Sequence, residues 1–350
     1  MQTRLLKLIL ALLLLCGCME TEAGEVFVIK KPSGCTASYG SELATNNNAV
    51  ELGGTETDAT TGWSATYCTF DSINTAPYNG NYHFSGTSTA DLGRFYRVFS
   101  SLSGSTVYAI ETWIRHSGTG DAWQCGFAYS SGLLSMSKVN VLSSETTYKQ
   151  YRRYFLYNVV ENAFSCREYN ATNSGTVYLD AFTIKPASLC YGSELNTGNA
   201  STPGTGEVNS TSGFTAEYNA QLSSTSSGSP ADGTYHILCE SNTTPTEGAG
   251  CYMDLSSICT SGTKYMIRAW QKHVGTGHGW RLALSGSNTT FNDSSYTFDT
   301  DVRTSTTYTE FGISFTYSSS VRYLLMRESS SYNDGGFYLD GLSIKEITAE

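Results

Sequence analysis

The chain has 350 residues, enough for about two domains. Only 15% of residues are charged, aromatics reach 13% with 24 Tyr, and 34 Gly stand against 6 Pro, a composition that favours strands and turns and excludes a helical bundle. The formal charge of −10 excludes a nucleic-acid-binding surface, because neutralising phosphates needs clustered Lys and Arg.

Arg4 and Lys7 precede an apolar run over residues 8–15, too short to span a bilayer but of the length of an export-signal core. The run ends at Leu15-Cys16-Gly17-Cys18, which resembles the bacterial lipobox. The resemblance implies that residues 1–18 act as a lipoprotein-type signal peptide, with Cys18 the lipidated residue; the alternative is ordinary secretion with cleavage nearby. Residues 19–34 carry charge and little periodicity and read as a tether. Eight cysteines remain beyond Cys16 and Cys18, an even number that reads as disulfides behind an export signal. None shows the close spacing of a zinc site.

From Tyr39 onward the chain repeats itself. Tyr39-Gly-Ser-Glu-Leu43 recurs at Tyr191–Leu195, Thr61-Gly62-Trp63 as Ser212-Gly213-Phe214, and Gly80-Asn-Tyr-His83 as Gly233-Thr-Tyr-His236. Trp113, His116 and Trp123 match Trp270, His273 and Trp280, and Tyr178-Leu-Asp180 matches Tyr338-Leu-Asp340. Each copy is long enough for its own core, which predicts two similar domains, residues 35–187 and 188–350. Alternating segments separated by Gly, Ser, Asn and Thr clusters predict an all-β fold of sandwiches.

Side chains on a strand alternate between faces. In the segment 108–116, Tyr108, Ile110, Thr112 and Ile114 share one face, and Glu111, Trp113 and Arg115 share the other. The second copy puts Tyr265 and Ile267 opposite Arg268, Trp270 and Lys272. A Trp flanked by two charges is expected on a partly solvated sheet surface. On the next strand, Cys125 and Phe127 correspond to Leu282 and Leu284, so Gln124 and Arg281 point outward and Trp123 and Trp280 pack inward. Cys125 and Cys166 are replaced together by Leu282 and Met326, which predicts a buried Cys125–Cys166 disulfide. Arg167 and Arg327 are expected to join the outward face with the two Trp. His83, His116, His236 and His273 read as packing residues.

An early Gly-Trp, a Gly-x-Tyr-x strand, a Tyr-x-Ile-x-x-Trp strand and a closing Tyr-Leu-Asp-x-x-x-Ile resemble, over residues 39–346, the jelly-roll carbohydrate-binding modules of the four, nine and twenty-two type, with their galactose-binding-like fold. The Gly-Ser-Glu-Leu opening also resembles modules of phage tail and structural proteins. The resemblance implies two tandem jelly-roll β-sandwich domains after a cleaved signal segment, with glycan held on a concave sheet. It also implies a structural calcium between an N-terminal Glu and the closing Asp, here Asp180 and Asp340. Glu51 is one residue out of register for the first role, and the second copy offers no equivalent. The alternative for each Asp is a set of backbone N–H donors.

Two sites follow: Trp113 with Glu111, Arg115, Gln124 and Arg167, and Trp270 with Arg268, Lys272, Arg281 and Arg327. An indole offers apolar C–H-rich area to a sugar ring, and neighbouring polar groups orient hydroxyls. The alternative is a face covered by a loop or by the other domain. Phosphate-loop, Gly-x-Ser-x-Gly and HExxH motifs are absent, and no obvious pair of catalytic carboxylates repeats, so the expectation is a non-enzyme. The sequence thus predicts a lipid-anchored or secreted protein that binds a polysaccharide or cell-surface glycan. The competing expectation is a structural or adhesive subunit of an envelope, filament or virion, which would self-associate.

Overall fold

A computed structural model describes residues 18–20, 26–28, 35–44, 48–50, 56–90, 93–100, 102–118, 123–128, 134–141, 145–157, 162–168, 175–217, 220–241, 250–275, 280–288, 296–299, 306–328 and 335–350. The export segment up to residue 17 lies outside them. Cys18 opens the short strand β1 (Cys18–Glu20), which pairs antiparallel with β2 (Val26–Val28).

The first module contains β3 (Ser38–Tyr39), β4 (Ser64–Thr66), β5 (Cys68–Ile73), β6 (His83–Ser88), β7 (Arg94–Val98), β8 (Val107–Ser117), β9 (Trp123–Ala128), β10 (Leu134–Val141), β11 (Lys149–Leu156), β12 (Ala163–Glu168) and β13 (Thr176–Ser188). The second contains β14 (Cys190–Glu194), β15 (Phe214–Glu217), β16 (Ala220–Thr225), β17 (His236–Ser241), β18 (Gly250–Asp254), β19 (Lys264–Gly275), β20 (Trp280–Ser285), β21 (Tyr296–Asp299), β22 (Thr309–Thr316), β23 (Tyr323–Glu328) and β24 (Gly335–Ala349). Among the described residues there is no α-helix, only short 3-10 turns. The all-β expectation holds, and each module is a sandwich of two antiparallel sheets.

In each sandwich one layer is a five-stranded sheet, ordered β10-β9-β12-β7-β4 in the first module and β15-β18-β23-β20-β21 in the second. The other layers fuse into a single sheet ordered β16-β17-β24-β19-β22-β11-β8-β13-β6-β5, with β14 beside β24 and β3 beside β13. The order is a palindrome of equivalent strands about the β11–β22 junction. Because every pairing there is antiparallel, an approximate twofold axis relates the modules.

Period-two alternation builds the cores. On β8, Tyr108, Ile110 and Ile114 are buried with Trp123, Cys125 and Phe127 of β9 and Phe164 and Cys166 of β12. Trp63 sits among Phe70, Phe84, Phe95, Phe164 and Phe182 at centroid distances of 5.2–6.4 Å. Trp123 and Trp280 are fully buried, as their parity predicts.

Cys125 and Cys166 stand directly opposite each other and are bonded, as expected, while Leu282 and Met326 take the same opposed positions in the second module. The second module has its own bond, Cys239–Cys251. The equivalent positions in the first are Gly86 and Phe95, and a Cβ added at Gly86 would lie 2.5 Å from the Phe95 ring. A glycine–phenylalanine pair therefore fills the volume that the disulfide fills in the other copy. The expectation that all eight cysteines pair is corrected: Cys68 and Cys259 are free thiols, and burial pushes both up to about 12.

A third bond, Cys35–Cys190, ties the start of the first module to the start of the second. The junction is apolar as well as hydrogen-bonded. Ala109, Tyr154 and Leu156 pack against Leu189, Met266 and Ile347 on the outer face of the long sheet. The Tyr154 amide donates to Ser314 Oγ at 2.9 Å, and the Tyr39 and Tyr154 hydroxyls lie 2.8 Å apart.

Gly86→Ala must displace a packed ring, so it is expected to destabilise the chain by about 1–3 kcal/mol in denaturant titration. A neutral effect would contradict the volume equivalence of the two copies.

Candidate functional site

The outward faces of β8 and β19 carry the residues that parity assigned to them. Glu111, Trp113 and Arg115 alternate with buried core residues on β8, as do Arg268, Trp270 and Lys272 on β19. Both indoles are part-buried and outside the cores. They also share one side of the molecule. Trp113 stands opposite Gln150, Leu156 opposite Gly312, and Trp270 opposite Glu310, so all six are on the same face of the fused sheet. Register places the two Trp three strands apart across the sheet. Six residues along β11 and two along β22 separate them lengthwise, a separation of roughly 30 Å from strand spacing and rise.

A loop folds over each indole and is gripped by two carboxylates. In the first module Asp180 Oδ2 accepts the amides of Tyr78 (2.7 Å) and Asn79 (3.1 Å), and Oδ1 accepts that of Ala181 (2.6 Å). Glu56 Oε2 accepts the amides of Asn81 (2.6 Å) and Tyr82 (3.2 Å). The second module repeats the grip. Asp340 holds Ala231, Asp232 and Gly341, and Glu207 holds Thr234 and Tyr235, at 2.6–2.9 Å. Gly80 and Gly233, both with φ of +70°, are required, because a Cβ at either would strike the carboxylate. Ala181 (φ 48°) and Gly341 (φ 51°) make the bulge that turns each Asp toward the loop.

This geometry gives Asp180 and Asp340 the backbone N–H donors that the sequence offered as the alternative to calcium. Amide protons engage both oxygens of each Asp, and among the described residues no group of three or more His, Cys, Asp or Glu gathers as a ligand set. Glu51 lies outside the described residues. Burial still pushes both carboxyls up to about 6, against the pull of the amides.

Beside each indole a cation is packed between tyrosines. The Arg115 guanidinium lies 3.7 Å from the Tyr178 ring centroid and 5.1 Å from that of Tyr148. Lys272 Nζ lies 4.8 and 4.6 Å from Tyr338 and Tyr308 and donates to the Gly228 carbonyl. Lys272 is therefore buried and held by the protein, not offered to a ligand as its parity suggested. His83 and His236 are fully buried against the same tyrosines, and burial lowers each to about 4. Tyr308 Oη is 2.6 Å from His236 Nδ1.

The copies differ at one decisive position. Tyr78 stacks on Trp113 at a centroid distance of 3.7 Å and an interplanar angle of 17°. Ala231 makes the equivalent amide bond in the second module, and among the described residues no ring stacks on Trp270. Trp113 is thus capped by a ring and Trp270, among the described residues, is not; the capping ring, Tyr78, is itself 46% exposed.

Gln124, Arg167, Arg281 and Arg327 do not join these sites. They are on β9, β12, β20 and β23 of the five-stranded sheets, across the sandwich from Trp113 and Trp270. Arg167 Nη2 donates to Gln124 Oε1 at 3.4 Å, and Gln124 is buried. Parity gives in or out for each strand, and outward from opposite layers means opposite sides of the molecule. The structure supplies other neighbours instead. A depression of about 260 Å³ is lined by Arg268 and Met266 with Tyr191, Pro203, Glu310 and Lys345; Trp270 is not in its lining but stands opposite Glu310 on the neighbouring strand. Arg268 Nη2 is 2.7 Å from Glu310 Oε1. The wall bearing Pro203 is fixed by buried Asn196 and Asn199, which bond each other, Ser201 and the Leu342 carbonyl.

No family model and no curated protein matches the chain. Among solved structures it is similar to the tandem of two family 22 carbohydrate-binding modules from Xyn10C of Paenibacillus barcinonensis, at 13% identity over 90% of this chain and 99% of that one, with a TM-score of 0.32. The first of those modules alone, described as xylan-binding, covers 47% of this chain and is itself covered completely, at 14% identity and a TM-score of 0.32. A family 16 carbohydrate-binding module is similar at 18% identity over 42% of this chain and 99% of its own length, with a TM-score of 0.29. At these TM-scores no ligand passes from those proteins to this chain.

The carboxyls and imidazoles set opposing pH dependences. Asp180 and Asp340 have raised folded values, so their contribution to stability is present at low pH and is lost as pH rises from about 4 to 6. His83 and His236 have lowered values, so theirs is present above pH 6.5 and is lost as pH falls toward 4. The two pairs therefore oppose each other across this range. Between pH 4 and 6 the stability of the Asp180→Asn/Asp340→Asn variant should fall on acidification, that of the His83→Gln/His236→Gln variant should rise, and the native chain should have a slope between the two. Parallel slopes in all three would contradict this.

Proposed function

We propose that the chain is an exported, non-catalytic protein that binds polysaccharide or cell-surface glycan on the outer face of its fused sheet. Residues 35–187 and 188–350 act as two binding modules, and lipidation at Cys18 anchors them to a membrane surface. The observation that carries the reading is Trp270: an outward indole on a sheet strand, without a stacked ring among the described residues, opposite the Glu310 that lines a depression of mixed polar and apolar character. Its face suits the C–H-rich side of a sugar, and the Arg268–Glu310 pair supplies oriented donors and acceptors for hydroxyls. In the first module the Tyr78 ring, backed by Trp113, takes the aromatic role. Three disulfides suit an oxidising, extracytoplasmic setting. The carboxylate pairs that recur near these faces, Glu56 with Asp180 and Glu207 with Asp340, have backbone amides as partners, which supports binding over hydrolysis.

Affinity gels cast with a panel of neutral and acidic polysaccharides test this reading. Trp270→Ala should weaken retardation about tenfold or more, the equivalent of about 1.4 kcal/mol, with the circular dichroism spectrum unchanged. Trp113→Ala should have a smaller effect. Unchanged retardation in Trp270→Ala would overturn the assignment.

A further inference from the structure

We infer that the depression in the second module selects an anionic sugar residue, a uronate or a sulfated ring; the inference rests on the glycan-binding reading above and deepens it. The chain as a whole is acidic, at −10, yet the charged side chains that line this depression are two bases, Arg268 and Lys345, against one acid, Glu310, with Glu194 ion-paired to Lys345 from behind the wall. Both bases project from adjacent strands. Arg268 stands opposite Ser343, two residues from Lys345, so their stems are diagonal neighbours above the same hollow.

Donors and acceptors are not balanced there. Glu310 is bonded to Arg268, and its side chain is 15% exposed. Glu194, behind the wall, accepts the Ser343 hydroxyl at 2.6 Å and the Ile344 amide at 2.8 Å. Asp232, at the rim, accepts the Gly204 amide at 2.8 Å and donates its own amide to Asp340. Each nearby carboxylate is thus engaged by protein donors. The guanidinium of Arg268 has five N–H groups and spends one on Glu310, and Lys345 Nζ forms a 3.9 Å ion pair with Glu194 that is too long to use its N–H donors in a hydrogen bond. Spare donors on a planar fork beside an ammonium fit a carboxylate or sulfate, which accepts such bonds in pairs.

The first module has the opposite sign at the decisive position. Glu111 stands where the second has Arg268, and it is occupied by Gln150 Nε2 and by Arg152, whose Nε is 3.5 Å away. Lys185 stands where the second has Lys345. The two copies therefore present related aromatic faces with different charge, and the arginine is the element that distinguishes them.

The test is affinity electrophoresis and calorimetry of the full mature chain with polygalacturonate, a carrageenan and a neutral mannan. Binding to at least one acidic polymer should exceed binding to mannan roughly tenfold in 50 mM salt and converge toward it in 500 mM, as screening removes the ionic part. Preference for polygalacturonate identifies a carboxylate, and preference for carrageenan a sulfate. Arg268→Glu should collapse the acidic-to-neutral ratio, Trp270→Ala should lower both without changing it, and Glu111→Arg should raise it. Trp270-dependent binding with a ratio near one and no salt dependence would overturn this inference and leave the glycan reading intact. No binding to any polymer would overturn both.

Discussion

A carboxylate buried beside a β-bulge fixes the outer face of each module. Asp180 and Asp340 are almost wholly removed from water and surrounded instead by three backbone amides each. A buried charge of this kind is costly unless its lone pairs are met, so the loop that supplies the amides is held wherever the Asp is held. Glu56 and Glu207 complete the clamp, and the glycines at its apex leave room for them. Because both copies share the clamp, one substitution within it has a large effect. A tyrosine at position 78 stacks on one indole, and the alanine at 231 offers no ring to the other.

The fused sheet is the second constraint. Separated, each module would expose β11 or β22 as an edge with unpaired amides and carbonyls, the usual template for unwanted strand addition. Pairing Phe155 with Ile313 and Leu156 with Gly312 joins these edges, and the apolar cluster of Tyr154, Leu156, Leu189 and Met266 seals the junction on the outer side. Cys35–Cys190 closes a loop of large sequence separation across it. The consequence for binding is geometric. On the proposed function, two aromatic faces on a common side, at a fixed spacing, would engage a repetitive ligand by their built-in separation instead of through a flexible linker.

The fold was legible because it is written twice. Alternation on β8 and β19 gave the orientation of both indoles, and the joint replacement of Cys125 and Cys166 by Leu282 and Met326 gave a disulfide that the strand register explains. What failed to be legible is relational. Local parity carries no information about which layer a strand joins, so Gln124, Arg167, Arg281 and Arg327 were grouped with indoles on the far side of the sandwich. The outward position of Lys272 was readable, but its capture by Tyr308, Tyr338 and Gly228 depends on a loop from another strand pair. Glu56 and Glu207 recur at a usable offset, and the Pro-Tyr-Asn-Gly ahead of the repeated Gly-x-Tyr-His marks the loop bearing Tyr78. Those were signals within reach. The volume match between Gly86 with Phe95 and Cys239 with Cys251 was not, since neither pair resembles the other in sequence.

The central claim is that ligand lies on the outer face of the fused sheet, against Trp270. Heteronuclear NMR of the isotopically labelled two-module chain, residues 35–350, titrated with an oligosaccharide, tests it most directly. The account predicts the largest perturbations at the Trp270 indole N–H and the Arg268 side chain, with ring-current shifts on the sugar protons. Perturbations confined to the five-stranded sheets, around Arg167, Arg281 and Arg327, would contradict it.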